Sequence, residues 1–180
     1  MSDSTRQEPG ESAASQPVSA GPPKSKKISL ICFSGDFDRL VATFTLASGA
    51  AAVGYEVHVF FTFWGLNILR KARGRQPIGK GVLARFFNFL QGGARHLPLS
   101  RLNFCGLSPR LMTYMMRKRN VATLPELVDA AIALGVRLYA CDMSMNILGL
   151  GKADFIPEVR EVIGVAKFLE YSNGGDRIFI

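Results

Sequence analysis

Three cysteines, Cys32, Cys105 and Cys141, are the side chains of this sequence best suited to covalent chemistry. Their number is odd, their spacings are wide and no CxxC pair is present, which is not the pattern of a disulfide framework, a zinc site or a thioredoxin-type centre. We therefore expect reduced thiols, the usual state of cysteine in the cytoplasm.

Cys141 is the strongest candidate because a buried strand, predicted over 136–140, delivers it to a helix predicted over 144–148. A thiol at a helix N-terminus lies near the positive end of the dipole and near free N–H groups, which favours the thiolate. Thiolate attacks sulfur, so the position suits a nucleophile or a persulfide carrier. Asp142 opposes this unless it points to solvent or contributes to the cap. The alternative is that Cys141 only packs, as buried cysteines often do.

The other two cysteines differ in context. Cys32 lies inside a strand predicted over 28–33 and should act as a small hydrophobe. Cys105 lies in a basic, glycine-containing loop, where an exposed, low-pKa thiol could form a second sulfur site and reach Cys141; an incidental position is the alternative. No His/Asp pair accompanies Cys141 in the sequence, which argues against a protease or amidase.

The elements that must position these residues follow from the apolar patterning. Strands are predicted over 28–33, 55–63, 136–140, 159–163 and 177–180, and helices over 40–51, 64–73, 82–90, 109–118, 124–134, 144–148 and 165–171. Asp36 or Asp38 can cap the first helix, and Gly54 fits the left-handed position past its end. The first strand, helix and strand form a βαβ unit, so the sequence predicts an open α/β sheet of about five mostly parallel strands with helices on both faces.

Ligands of open α/β sheets bind beyond the carboxyl ends of the strands. Residues 33–36, 63–65 and 141–144 arrive at that edge and surround Cys141 with candidate substrate contacts. These are Ser34, Gly35, Trp64, Gly65 and Ser144, with Arg95 of the basic loop as a further contact for an anion. For Trp64, packing at the rim of the site is the alternative interpretation.

The basic charge is concentrated in one part of the chain. The net charge is +8, and residues 57–125 hold twelve of the 22 basic residues and no Asp or Glu. Such a segment indicates an anionic partner. Residues 80–105 could dock an acidic protein, lie on an anionic membrane with the aromatic residues inserted, or cover the sheet as a lid. Nucleic acid is the least favoured partner, because no recognised binding motif accompanies the charge.

The length of 180 residues predicts a single domain over 26–180, with a basic insertion around 74–120. Residues 1–25 are rich in Ser, Pro, Gly and Ala and should form a disordered tail. Neither a secretory signal nor an apolar run of roughly 20 residues is visible, so we expect a soluble or peripheral protein.

Three runs resemble the DsrE/DsrF-like family, in its subgroup with an inserted central segment, and the likeness extends over 27–180. They are Ser-Gly-Asp-Phe-Asp at 34–38, Phe-Phe-Thr-Phe-Trp-Gly-Leu at 60–66 and Val-Arg-Leu-Tyr-Ala-Cys-Asp-Met-Ser-Met at 136–145. The resemblance implies a flavodoxin-like fold, homo-oligomers and cytoplasmic sulfur relay. We expect neither a cofactor nor a metal. Family members carry persulfide or thiosulfonate on a cysteine, which falls on Cys141 here, and pass the sulfur to a small acidic or neutral carrier protein.

Three functions are therefore compared. The first is a cytoplasmic sulfur carrier or sulfurtransferase, drawing anionic sulfur compounds or an acidic partner to its basic segment. The second is a non-enzymatic module that contacts a protein or the inner face of a membrane, with Cys141 structural. The third, peroxide reduction, is the least favoured, because no nearby Arg or Thr motif supports it.

Overall fold

The computed structural model describes residues 26–71, 79–91, 97–100 and 108–180, so the predicted tail lies outside the described residues. Within them, five strands alternate with helices. The strands are β1 (Lys27–Cys32), β2 (Glu56–Phe61), β3 (Arg137–Cys141), β4 (Val159–Ile163) and β5 (Asp176–Phe179). The α helices are α1 (Phe37–Ala52), α2 (Val82–Gln91), α3 (Ser108–Lys118), α4 (Leu124–Ala133), α5 (Asp142–Leu148) and α6 (Val165–Tyr171). Short 3-10 helices cover Phe63–Leu69 and Lys152–Asp154.

The five strands form one sheet in the order β4-β3-β2-β1-β5, and every pairing is parallel. The predicted fold class is confirmed, with parallel pairing throughout rather than in most strands. The chain steps from β1 to β4 in one direction and then returns to place β5 beyond β1. As a result β3, which ends in Cys141, lies between β2 and β4 and has no free edge.

The two faces of the sheet have separate apolar clusters. On one face, α1 contributes Leu40 and Phe44 and α4 contributes Ala131 to a large core that includes Cys32. On the other face, Phe168 of α6 packs against a smaller cluster that includes Cys141. The helices therefore cover both faces, and the two cysteines lie on opposite sides of the sheet.

Two local signals for helix boundaries are confirmed by the structure: the glycine after α1 and the capping box of α4. Gly54 follows α1 with a φ of +88°. Asp36 occupies the N-cap position of α1, but its side chain makes no capping hydrogen bond. A capping box starts α4, because the Glu126 carboxylate accepts hydrogen bonds from the Thr123 backbone N–H (2.7 Å) and hydroxyl (2.9 Å).

Three boundaries near the carboxyl edge of the sheet differ clearly from the prediction. The strand predicted over 55–63 ends at Phe61, and the helix predicted over 64–73 is a 3-10 helix that ends at Leu69. The physical reason is that Arg70 is extended and bridges Phe155, which ends the helix. The helix predicted over 144–148 starts earlier, at Asp142, so Cys141 itself is its N-cap residue.

Candidate functional site

Cys141 is the last residue of β3 and lies at the carboxyl edge of the sheet. Its side chain is 4% exposed and packs among Phe60, Tyr139, Ile163 and Phe168. It forms no disulfide. The thiol is therefore surrounded by apolar side chains and lies close to the surface, between the end of β3 and the start of α5.

Asp142, the first residue of α5, is expected to oppose a thiolate at Cys141 unless its carboxylate points to solvent. Asp142 is exposed, and its carboxylate accepts a hydrogen bond from the Asn146 amide at 3.2 Å. Its charge therefore points to solvent rather than toward the thiol. Since α5 has only seven residues, its dipole adds less than a long helix would.

Thr62 and Ser144 join the segment after β2 to α5. Their hydroxyl oxygens lie 2.8 Å apart, and the Ser144 side chain is completely buried. This bond fixes the first turn of α5, three residues beyond Cys141. The sequence does not single out Thr62 as a site residue, although it stands inside the Phe-Thr-Phe-Trp-Gly run, because its partner Ser144 comes from a distant segment.

Ser34 and Gly35 lie after β1, two strands away from Cys141, which is roughly 10 Å across the sheet. The Ser34 hydroxyl donates to the Asp36 carboxylate at 2.8 Å and accepts from the Asp36 N–H at 3.0 Å. A Cβ on Gly35 would lie 2.7 Å from the Trp64 carbonyl oxygen. In this structure the two residues shape the turn after β1, and their contact with a substrate stays a prediction.

Trp64 and Gly65 pack the segment after β2 onto the end of β1. Trp64 is half-buried against the large core, as the packing interpretation anticipated. The Gly65 N–H donates to the Phe33 carbonyl at 3.0 Å, and a Cβ at Gly65 would lie 2.3 Å from the Cys32 carbonyl oxygen. Phe63, which precedes Trp64, has a φ of +44°, a backbone conformation that residues other than glycine seldom adopt. One strained backbone position thus lies at the end of β2, the strand next to the one that ends in Cys141.

Cys32 is the small hydrophobe that the sequence predicted. Its side chain is fully buried on the α1 face. Burial raises the pKa of the Cys32 thiol to about 11, although a hydrogen bond from the Thr43 hydroxyl opposes that rise. A thiol of this kind is neutral and unreactive at physiological pH.

The two remaining predicted site residues, Cys105 and Arg95, lie outside the described residues. Within the described ranges, no group of three His, Cys, Asp or Glu side chains could hold a metal ion. In the same part of the chain, no helix is long and apolar enough to cross a membrane.

His58 is a buried titratable group on the same face as Cys141. Its Nε2 lies 3.2 Å from a Glu56 carboxylate oxygen, and its Nδ1 lies 3.2 Å from the Tyr139 hydroxyl. Burial lowers the pKa of His58 in spite of the opposing Glu56, which favours the neutral imidazole at pH 7. His58 pairs in register with Arg137, four residues before Cys141 and so about 13 Å along β3. It cannot act as a base for the Cys141 thiol from there.

Comparison with known proteins gives a consistent result. The family model described as DsrE/DsrF/DrsH-like matches residues 24–179. The uncharacterized protein YrkE of Bacillus subtilis is 39% identical over 159 residues, covering 87% of this chain and 98% of that protein. The sulfur carrier protein DsrE2 of Allochromatium vinosum is 33% identical over 158 residues, covering 85% and 96%.

A solved structure shares the fold. The protein of unknown function MTH1491 from Methanobacterium thermoautotrophicum superposes with a TM-score of 0.51 at 14% sequence identity. The match covers 87% of this chain and all of that one. At this identity the likeness concerns the arrangement of strands and helices alone.

Proposed function

This chain belongs to the DsrE/DsrF/DrsH-like family, and we propose that it is a cytoplasmic sulfur carrier that holds sulfur on Cys141. A role in sulfur relay is supported by the family and by the relative named sulfur carrier protein DsrE2. The observation that carries the finer proposal is the position of Cys141. Both cysteines in the described residues end a strand at the carboxyl edge of the sheet. Cys141 is the one that leads into α5 and lies in the smaller cluster under α6, whereas Cys32 is fully buried in the large core on the α1 face.

The proposed transfer needs no oxidant or cofactor. The Cys141 thiolate attacks the outer sulfur of a donor persulfide, a new S–S bond forms at Cys141, and the donor thiolate leaves as its own S–S bond breaks. An acceptor thiolate then takes the outer sulfur by the same step, which restores the Cys141 thiolate. With thiosulfate as donor, sulfite is the leaving group, and the same cysteine holds the sulfane sulfur.

The surroundings of Cys141 suit a donor or acceptor that presents a slim sulfur group. Its side chain is 4% exposed, so a bulky reagent meets the packed residues first. Met143 and Val165, at the starts of α5 and α6, are 56% and 61% exposed. They offer an apolar contact surface for a protein partner near Cys141. We propose a small carrier protein as the acceptor, approaching over these two residues and attracted by the basic segment.

Sulfur loading tests the proposal directly. The full-length protein is incubated with glutathione persulfide or thiosulfate, and each cysteine is mapped by mass spectrometry. We expect the mass of one sulfur atom on Cys141, no gain in Cys141→Ser, and an unchanged gain in Cys32→Ser, the matched control. Loading confined to other cysteines would contradict the proposal. A parallel Cys105→Ser variant decides whether a second sulfur site contributes.

Homo-oligomer formation is part of the proposal. Phe33 and Phe179, at the ends of β1 and the edge strand β5, are 36% and 67% exposed, and their ring centroids lie 6.1 Å apart. Exposed aromatic residues beside a free strand edge favour association. Light scattering after size-exclusion chromatography should show an oligomer that Phe179→Ser dissociates, and a monomeric parent protein would refute this part.

A second candidate function is peripheral contact with an anionic membrane, and α2 is the feature that favours it. Val82, Leu83, Phe86 and Phe89 on this helix are 87%, 78%, 58% and 43% exposed. Asn88 is buried and donates to the Leu148 carbonyl at 2.9 Å, which fixes its side of the helix to the end of α5. Arg85 is exposed on the same helix and could meet lipid headgroups.

Co-sedimentation with liposomes separates the two functions. Binding to vesicles that contain phosphatidylserine, lost in high salt and in Phe86→Ser but kept in Cys141→Ser, would establish the membrane contact. If neutral and anionic vesicles both leave the protein in solution, the contact is refuted and the sulfur-carrier proposal is unaffected.

A further inference from the structure

A cavity of about 790 Å³ lies on the α1 face of the sheet, among α3, α4, the 3-10 helix that follows β2 and the residues just before β4. This volume is within the range of small-molecule sites in proteins. Cys141 belongs to the opposite face, so the cavity is separate from the proposed sulfur site.

The floor of the cavity is apolar. It is formed by Phe37, Ile68, Leu97, Leu124, Val128 and Ile132. Several of these side chains belong to the large core, so the floor is built from well-packed residues. An apolar body that fills this space would be favoured by the area that it removes from water.

Three arginines supply positive charge around this floor. The Arg70 side chain is 1% exposed, and its Nη1 donates to the Asn67 side-chain oxygen at 3.3 Å. Arg110 and Arg117 lie seven residues apart on α3, with Thr113 and Tyr114 between them, so one face of α3 lines the opening. Among the described residues, Arg110 and Arg117 have no ion-pair partner.

Two carboxylates, Asp129 and Glu158, also line the cavity, and Asp154 and Glu126 interact electrostatically with Arg70 and Arg117. The positive groups offered to a ligand are therefore the exposed guanidinium groups of α3 at the opening, rather than a net positive charge of the whole cavity. We propose that this cavity binds an organic monoanion that has an apolar acyl or aromatic body and a carboxylate or sulfonate head. The body lies on the apolar floor, and the guanidinium groups of α3 hold the head at the opening, since their planar donors match both head groups.

The fluorescent probe 1-anilinonaphthalene-8-sulfonate tests this proposal, because it combines an aromatic body with a sulfonate. We expect saturable binding that dodecanoate displaces. The double variant R110Q/R117Q should weaken binding of the probe by about tenfold. N-phenyl-1-naphthylamine, which has the same body without the sulfonate, should bind the parent and this variant equally.

Two variants locate the site. Val128→Trp fills the cavity and should abolish binding of both probes, with far-UV circular dichroism to show that the protein is folded. Phe86→Ser changes the exposed face of α2 and should leave the affinity unchanged. Absence of binding, binding that survives Val128→Trp, or binding that Phe86→Ser removes would overturn the proposal. Cys141→Ser should bind like the parent, so this result is independent of sulfur loading.

Discussion

Replacement of Gly65 by alanine should destabilise the carboxyl edge of the sheet. It should also slow the sulfur loading of Cys141, although the two residues are not in contact. A Cβ at Gly65 would lie 2.3 Å from the Cys32 carbonyl oxygen, whereas real Cβ contacts keep at least 3.0 Å, so the segment must move by about 0.7 Å. The same carbonyl oxygen accepts the Thr62 N–H at 3.0 Å. The substitution therefore displaces the acceptor that positions Thr62, the partner of Ser144 at the start of α5.

The magnitude follows from two costs. Overpacking against rigid backbone costs about 1–3 kcal/mol, and each weakened hydrogen bond adds about 1 kcal/mol. We expect the free energy of unfolding of Gly65→Ala to fall by about 2–4 kcal/mol in urea melts. The matched control is Gly49→Ala, which is exposed on α1 with no atom within 4 Å of the added Cβ and should gain about 0.5–1 kcal/mol.

Sulfur loading of Cys141 under native conditions completes the test. Gly65→Ala should load more slowly than the parent protein, while Gly49→Ala should load at the parent rate. A Gly65→Ala protein within about 0.5 kcal/mol of the parent would refute the steric reasoning. A destabilised protein with unchanged loading would refute the coupling of Gly65 to Cys141 through Thr62.

Three further predictions concern titration and thiol reactivity. The pKa of His58 is lowered by burial, so the unfolded chain takes up the proton first and stability falls as the pH drops below about 6.5; His58→Gln should remove this part of the decline in urea melts. The pKa of Glu126 is lowered by the hydrogen bonds from Thr123, so its contribution is present above pH 4.5 and lost as the pH falls through the lowered folded value. Thermal melts of Glu126→Gln should therefore differ from the parent at neutral pH and converge with it in acid. With a pKa of about 11, Cys32 should be at least about 100-fold slower to react with iodoacetamide in the native Cys105→Ser/Cys141→Ser protein than in urea, and rapid native labelling would contradict its burial.

The regular part of the fold could be predicted from local patterns because the signals are unambiguous there. The capping box at Thr123 and the glycine past α1 each determine a helix end with a backbone requirement. A strand buried on both faces, such as β2, has a largely continuous apolar run, which predicts it from the sequence.

The carboxyl edge could not be predicted in the same detail. Phe63 adopts a positive φ that an aromatic residue disfavours, and tertiary contacts, such as the bond from the Gly65 N–H to the Phe33 carbonyl, help to hold it there. The bond between Thr62 and Ser144 joins residues 82 positions apart. The burial of Arg70 beside a cavity was likewise invisible, because its neighbours come from distant segments.

The difference between the two described cysteines is a consequence of strand register. Cys32 pairs with Phe61, which pairs with Ala140, so these three residues share the α1 face of the sheet. Cys141 is one residue beyond Ala140 and must therefore point to the opposite face, since side chains alternate along a strand. There it meets α6, a helix of seven residues, instead of the thick layer formed by α1 and α4. A shift of one residue in the pairing of β3 would turn Cys141 toward the α1 face, into the core that contains Cys32, and would remove it from the α6 face. The side of the sheet on which Cys141 presents its thiol thus depends on the register of β3 as much as on the presence of the cysteine.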